Sequence, residues 1–195
     1  MSVQTAGPFR CFGDGDPLYS AYHDEEWGRP VHGDRELYER ISLEAFQSGL
    51  SWITVLRRRD TFRTAFAGFD PEVVAAYGED DVTRLLADPG IIRNRLKVEA
   101  TIANARTLLA LAERGRSLSD LVWSSAPRPR PEAPRSPGDV PALTAESSAL
   151  SKALKAEGFR FVGPTTAYAT MQACGIVNDH LAQCPARNEI EADRR

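Results

Sequence analysis

Two pairs of possible metal ligands stand near opposite ends of this chain of 195 residues: Cys11 with His23, and His180 with Cys184. The second pair is spaced H-x3-C, which places two donors within one helical turn or tight loop. Two thiolates and two imidazoles fill a tetrahedral Zn2+ sphere and leave no position for a reacting water. Such a site is structural, and here it would tie the irregular start of the chain to its tail. The C-x11-H spacing is not that of a standard finger. The residues alone equally allow four unrelated polar or buried side chains.

A second group could handle a nucleobase. Glu44 stands between Leu43 and Ala45 on a segment of helical periodicity, and a carboxylate among apolar neighbours is costly to bury without a role or partner. Tyr19, Tyr22, Trp27 and Trp52 fall in or beside polar segments. Aromatic faces together with one polar group are what a pocket for an extruded base requires. Each of the four could equally be an ordinary core aromatic. A third group is LLADPGIIRNRLK (85–97), an apolar helix, a turn with Gly90 and Ile91, and a basic segment with Arg93, Arg95 and Lys97. Backbone N–H groups at a helix start can hold phosphate. A plain αα-hairpin inside a bundle is the alternative.

The elements that must carry these residues read as helices. Residues 1–30 lack a clean period and suggest an irregular segment with one short helix around Tyr19–His23. Leu37, Ile41 and Phe46 recur at helical spacing, with Asp34 as N-cap and Gly49 as stop. Short helices follow over 50–58 and 61–67, one led by Asp70-Pro71, and one over 80–87. The longest segment runs through 91–115, with Leu96, Ala100, Ala103, Leu108 and Leu111 offered to the core. Six of the thirteen prolines crowd into 125–141, a connection rather than an element. Helices resume near Ala145 and over 164–173, and the polar tail after Cys184 is expected to fray. No sustained strand alternation occurs. The fold class is all-α, one domain over 1–195.

Composition sets limits. Apolar and charged fractions of 42% and 26% are those of an ordinary globular chain. No run of eighteen apolar residues exists, and Met1–Arg10 has no apolar stretch of signal type, so a cytoplasmic protein without a membrane span is expected. A net charge of −3 argues mildly against nucleic acid, but Arg57–Arg59 and Arg93–Lys97 concentrate the positive charge. A solvated helix face explains any one such run as well. Three cysteines, an odd number, make a disulfide framework improbable. Cys174, among Met171, Ala173 and Ile176, reads as a buried core thiol.

Four stretches, DPLYSAYHDEEWG (16–28), LEAFQSGLSWITVL (43–56), GIIRNRLK (90–97) and GFRFVGPTTAYATMQACGIVNDH (158–180), closely resemble the DNA-3-methyladenine glycosylase I family. The resemblance spans about Arg10 to Cys184, with the motifs in the same order. It implies a helix–hairpin–helix glycosylase bundle with a zinc site joining irregular termini, about 10–30 and 175–190. By motif match Cys11, His23, His180 and Cys184 are the ligands of one Zn2+, and Glu44 is the acidic residue that reads the excised base. Tyr19, Tyr22, Trp27 and Trp52 are then its pocket aromatics, and Gly90, Ile91, Arg93, Arg95 and Lys97 its DNA-gripping hairpin. The implied activity is monofunctional hydrolysis of the N-glycosidic bond of 3-methyladenine in double-stranded alkylated DNA, by a monomer. A zinc-stabilised module that binds damaged duplex without cutting it is the alternative. Phe46 and Pro164 depart from the family pattern, Phe46 where a polar residue is expected in the pocket wall. No Asp follows the hairpin; Asp179 precedes a presumed ligand and is expected to support it.

Overall fold

The computed structural model describes residues 9–13, 15–128 and 132–193, and among these every regular element is helical. In chain order they are α1 (Pro17–Glu25), α2 (Asp34–Gln47), α3 (Trp52–Leu56), α4 (Arg59–Ala65), α5 (Pro71–Ala75) and α6 (Glu79–Ala87). There follow α7 (Arg95–Glu113), α8 (Leu118–Trp123), α9 (Ala145–Glu157), α10 (Pro164–Ala173) and α11 (Ala186–Asp193). No helix among the described residues is long and apolar enough to cross a membrane. Most of the Met1–Arg10 stretch lies outside the described residues, as do three positions of the proline-rich connection.

Helix α2 is the axis of the molecule. Leu37, Tyr38 and the whole run Ile41–Phe46 are buried on it, because α3, α7, α8 and α10 all pack against it. A helix covered on so many sides has no polar face over that stretch, so anything polar there is sealed in. Phe46 sinks into a chain of rings, 4.6 Å from Phe62 and 5.9 Å from Phe66. It points into the core and not into a pocket wall, which removes the expected effect of this departure from the family pattern. Pro164 is equally benign, since it occupies the first turn of α10 where a proline fits.

Three local expectations need correction. Asp34 does not cap its own helix: Gly33 is the N-cap of α2, and the Asp34 carboxylate accepts from the N–H groups of Leu118 and Ser119 at the start of α8. Leu96 is 65% exposed, because α7 begins only at Arg95, capped by Asn94, and turns Val98, Ile102 and Ala105 inward instead. The tail after Cys184 is not frayed but forms α11, with Ile190 fully buried.

Lys97 is the instructive residue of the α6–α7 connection. Its ammonium is buried and donates to the carbonyls of Phe46 (2.9 Å) and Ser48 (2.7 Å), where α2 ends. A cation there satisfies carbonyls without helical partners and complements the helix dipole. Lys97 is thus a clamp on α2 and not a phosphate contact. Lys97→Met is expected to cost about 1–3 kcal/mol, by leaving buried acceptors unpaired. The salt dependence of DNA binding should stay that of the parent; a clearly smaller slope would return Lys97 to the DNA face.

Candidate active site and metal cluster

A cavity of about 430 Å³ opens between α1, α2 and α3 on one side and α10 with residues 137–142 on the other. All five side chains expected to form a base pocket line it: Tyr19, Tyr22, Trp27, Glu44 and Trp52. Asp16 starts α1 by accepting from the N–H groups of Leu18 and Tyr19, and this start brings Tyr19 and Tyr22, one turn apart, onto the cavity side. The rings of Tyr22 and Trp52 lie 5.3 Å apart, tilted by 41°. Phe12 stacks on Tyr19 at 4.8 Å and meets Trp27 edge-on at 4.6 Å.

Glu44 is the buried charge that α2 seals in, only 6% exposed. Among the described residues its carboxylate accepts no hydrogen bond. Burial pushes its pKa up to about 8, against the pull of the Arg40 guanidinium one turn earlier on the same helix. The phenols beside it respond in kind, Tyr22 and Tyr19 both being raised by burial and then by the Glu44 charge. A cavity walled by ring faces and holding one unsatisfied carboxyl group favours a flat, cationic guest that carries N–H donors.

Several lining residues escaped the sequence reading. Thr165, Tyr168, Ala169 and Gln172 present one face of α10 to the cavity, a spacing visible in the sequence but indistinguishable there from a core stripe. Gln47 lies three residues beyond Glu44 and also reaches the cavity. Phe12 had no periodic signal; the chain ends bring it there. Asp179 was expected beside a ligand as its support. The structure instead sets it in the cavity wall, its Oδ2 accepting from Tyr168 Oη (2.5 Å) and Gln172 Nε2 (2.9 Å).

The four metal-ligand candidates do meet. One donor atom each from Cys11, His23, His180 and Cys184 lies within 4.8 Å of all the others. Both imidazoles are oriented from behind. His23 Nδ1 faces Asp24 Oδ1 at 2.8 Å, leaving Nε2 toward the cluster, and His180 Nε2 faces the Trp27 carbonyl at 3.0 Å, leaving Nδ1. Arg10 holds Asp24 from the far side. Burial lowers the His180 pKa to about 4, so this ring is neutral and offers a lone pair. Gly175 keeps the same corner tight: its φ is +71°, and a Cβ there would sit 2.5 Å from the Gly28 carbonyl oxygen.

The expected DNA-gripping residues divide. Arg93 and Arg95 are exposed before and at the start of α7, Arg95 in surface pairs with Glu79 and Glu99. Ile91 is buried, and the Gly90 N–H already donates to Asp88 Oδ1 at 2.7 Å. Gly90 is needed for space, since a Cβ would meet Thr61 Cγ2 at 2.3 Å. Of the Arg57–Arg59 run, Arg59 is spent on a bidentate pair with Glu26.

A family model described as methyladenine glycosylase matches residues 12–188. DNA-3-methyladenine glycosylase 1 of Escherichia coli (strain K12) is 51% identical over 170 residues, 87% of this chain and 91% of that protein. A crystal structure of a 3-methyladenine DNA glycosylase I superposes with a TM-score of 0.88 at 50% identity, covering 92% of this chain and 100% of the other. The 3-methyladenine DNA glycosylase I of Staphylococcus aureus, solved to show the structural basis of its 3-methyladenine recognition, gives a TM-score of 0.85 at 34% identity, with coverages of 91% and 95%. The fold is therefore that of a helical DNA glycosylase, a hydrolase. Within that class the chain belongs to the methyladenine glycosylase family.

Proposed function

We propose that this chain excises 3-methyladenine from alkylated duplex DNA by hydrolysing its N-glycosidic bond, after the base has been extruded into the cavity beside Glu44. The observation that carries this reading is a buried carboxyl group that meets no hydrogen-bond donor among the described residues, framed by aromatic rings. Methylation at N3 makes the base cationic and a good leaving group, so the protein needs mainly to select it. Tyr22 and Trp52 stack on the charged ring, gaining on the order of 0.5–2 kcal/mol. Glu44 accepts from the exocyclic amine and ring edge. A damaged pair also unstacks at lower cost, which adds selectivity. Among the described residues no lysine lines the cavity, in keeping with hydrolysis without strand nicking.

Outside the cavity, Arg93, Arg95 and the first turn of α7 hold the DNA backbone, as in a helix–hairpin–helix grip, with Lys97 stabilising the connection from within. The Cys11, His23, His180 and Cys184 cluster holds one structural Zn2+. With Zn–S of ~2.3 Å and Zn–N of ~2.0 Å, tetrahedral geometry spaces sulfur and nitrogen ligands ~3.5 Å apart. The corresponding separations here are 3.7 Å (Cys11 to His180), 3.3 Å (His180 to Cys184) and 3.5 Å (Cys184 to His23). The ion would supply no chemistry to the reaction; it would fix Phe12 and Trp27 in the cavity wall.

Incubation with methylated DNA at neutral pH without heating, followed by chromatography of the supernatant, tests the activity. Free 3-methyladenine well above the protein-free control is expected, with no strand breaks. Tight binding to methylated duplex with no released base would favour a non-catalytic damage-binding module.

A further inference from the structure

Beneath the cavity a chain of paired charges runs from Arg59 through Glu26 to Arg40, one helical turn before Glu44. Arg59 on α4 makes two hydrogen bonds to Glu26, at 2.6 and 2.8 Å, and Arg40 on α2 adds a third from Nη2 at 2.9 Å. Glu26 follows α1, so three elements are joined at one carboxylate. Arg40 is mostly buried, and its other terminal nitrogen, Nη1, is enclosed with no hydrogen-bond partner among the described residues. A guanidinium N–H left bare in the interior is uncommon in a folded protein. Arg40 precedes Glu44 by four residues, so the two side chains rise from the same face of α2.

The geometry points to Arg40 as a positioning residue for the reaction, a fixed positive charge that lowers the cost of ionising Glu44 when a cationic base enters. The inference rests on the reading of Glu44 as the base-reading carboxylate. The groups that face Glu44 from the packed elements are Tyr19 and Tyr22 of α1, Cys174 just past α10 and Arg40 itself, with the uncharged Trp52 from α3 and Asp179 across the cavity. Arg40 is the one cation among them. The loss of water favours a protonated Glu44, and its pKa near 8 is what remains after Arg40 has acted. Arginine suits this duty because it cannot give up its proton. The Glu26–Arg59 clamp holds the guanidinium still without neutralising it fully, since Glu26 is shared between two cations.

The test follows Glu44 itself, by carboxyl 13C NMR titration of glutamate-labelled protein, with Glu44→Gln identifying the signal. Arg40→Gln is expected to move the midpoint upward by about one pH unit or more, and Arg40→Lys by much less. Glu26→Gln is expected to move it downward, because it frees Arg40 from its counter-ion. Single-turnover excision by Arg40→Gln should be about tenfold slower at neutral pH, with the deficit closing above about pH 9. It should cause no further loss in a Glu44→Gln background. A midpoint unmoved by Arg40→Gln and Glu26→Gln, or a deficit equal at every pH and persisting without Glu44, overturns the inference. If Arg40→Gln does not fold, Arg40→Lys and Glu26→Gln still predict shifts of opposite sign. The titration needs no DNA, so shifted midpoints combined with full activity of Glu44→Gln would place the fault in the catalytic reading instead.

Discussion

Glu44→Gln is expected to slow release of 3-methyladenine by roughly 100-fold or more in single turnover, with the fold retained. The amide fills the same space but carries no charge and turns an N–H toward the donors of the base. The same substitution should stabilise the protein, and by an amount that depends on pH. Glu44 has its pKa near 8 in the folded chain against 4.5 when exposed, so between those values the folded state holds a proton that the unfolded state has lost. Stability then falls as pH rises through this window, and the full cost of the buried charge is present above about pH 8. That cost is on the order of 4–5 kcal/mol. Glutamine removes it, so the gain in Tm over the parent should be small near pH 5 and largest above pH 8. A gain that stays flat across this range would mean that Glu44 is not desolvated in solution. The pairing of lost activity with gained stability is expected of a site held in a strained charge state for function. It also accounts for selection between bases. A cationic lesion can expel the proton and pair with the carboxylate, whereas neutral adenine meets a carboxyl group that prefers to stay neutral.

Sequence pattern reached some of this architecture and not the rest, for physical reasons. Helices whose starts carry their own chemistry were legible: Asp70-Pro71 begins α5 and Pro164 begins α10, because cap and proline act locally. Asp34 misled because its carboxylate serves α8, some eighty residues away. Leu96 misled because a periodic apolar pattern does not reveal where a helix starts, and one residue of phase turns it outward. Glu44 was legible since a carboxylate between Leu43 and Ala45 is anomalous on any helix. Arg40 was not, for arginine on a helix is ordinary until its burial is known. The acidic run Asp24–Glu26 gives no sign in the sequence of which carboxylate pairs with what. Its members divide: Asp24 orients His23, Glu26 anchors Arg40 and Arg59, and only Glu25 is exposed. Spacing also left Lys97 among the DNA contacts, because the carbonyls it serves belong to residues about fifty positions earlier.

Removal of the metal is expected to have the larger structural effect. Among the described residues, those before α1 and residues 178–185 bury little apolar surface of their own, the core side chains Cys174, Ile176 and Val177 lying just before the latter. Among the described residues of 9–16, Phe12 is the one in ring contact with Tyr19, His23 and Trp27, and the apolar side chains that 178–185 buries are Leu181 and Cys184. Without a central cation, burial pushes Cys11 up to about 12 and His180 down to about 4, so these two meet as a neutral thiol and a neutral imidazole with weak mutual attraction. A structural Zn2+ supplies on the order of 10 kcal/mol or more where site formation and folding are coupled. The helical core around α2 and α7 stands apart from the cluster, so part of that figure goes into ordering the ends alone. A strong chelator, or Cys184→Ser, is accordingly expected to lower Tm by roughly 10 °C or more while leaving most of the helical circular dichroism. Base release should fall in parallel, because Cys11, Phe12, Trp27 and Leu181 line the cavity and depend on the joined ends. Purified protein should carry about one zinc per chain by elemental analysis. Zinc-free protein with unchanged Tm and unchanged activity would show that the four side chains pack together without an ion. The cavity wall would then have to be held by the Phe12, Tyr19 and Trp27 rings alone.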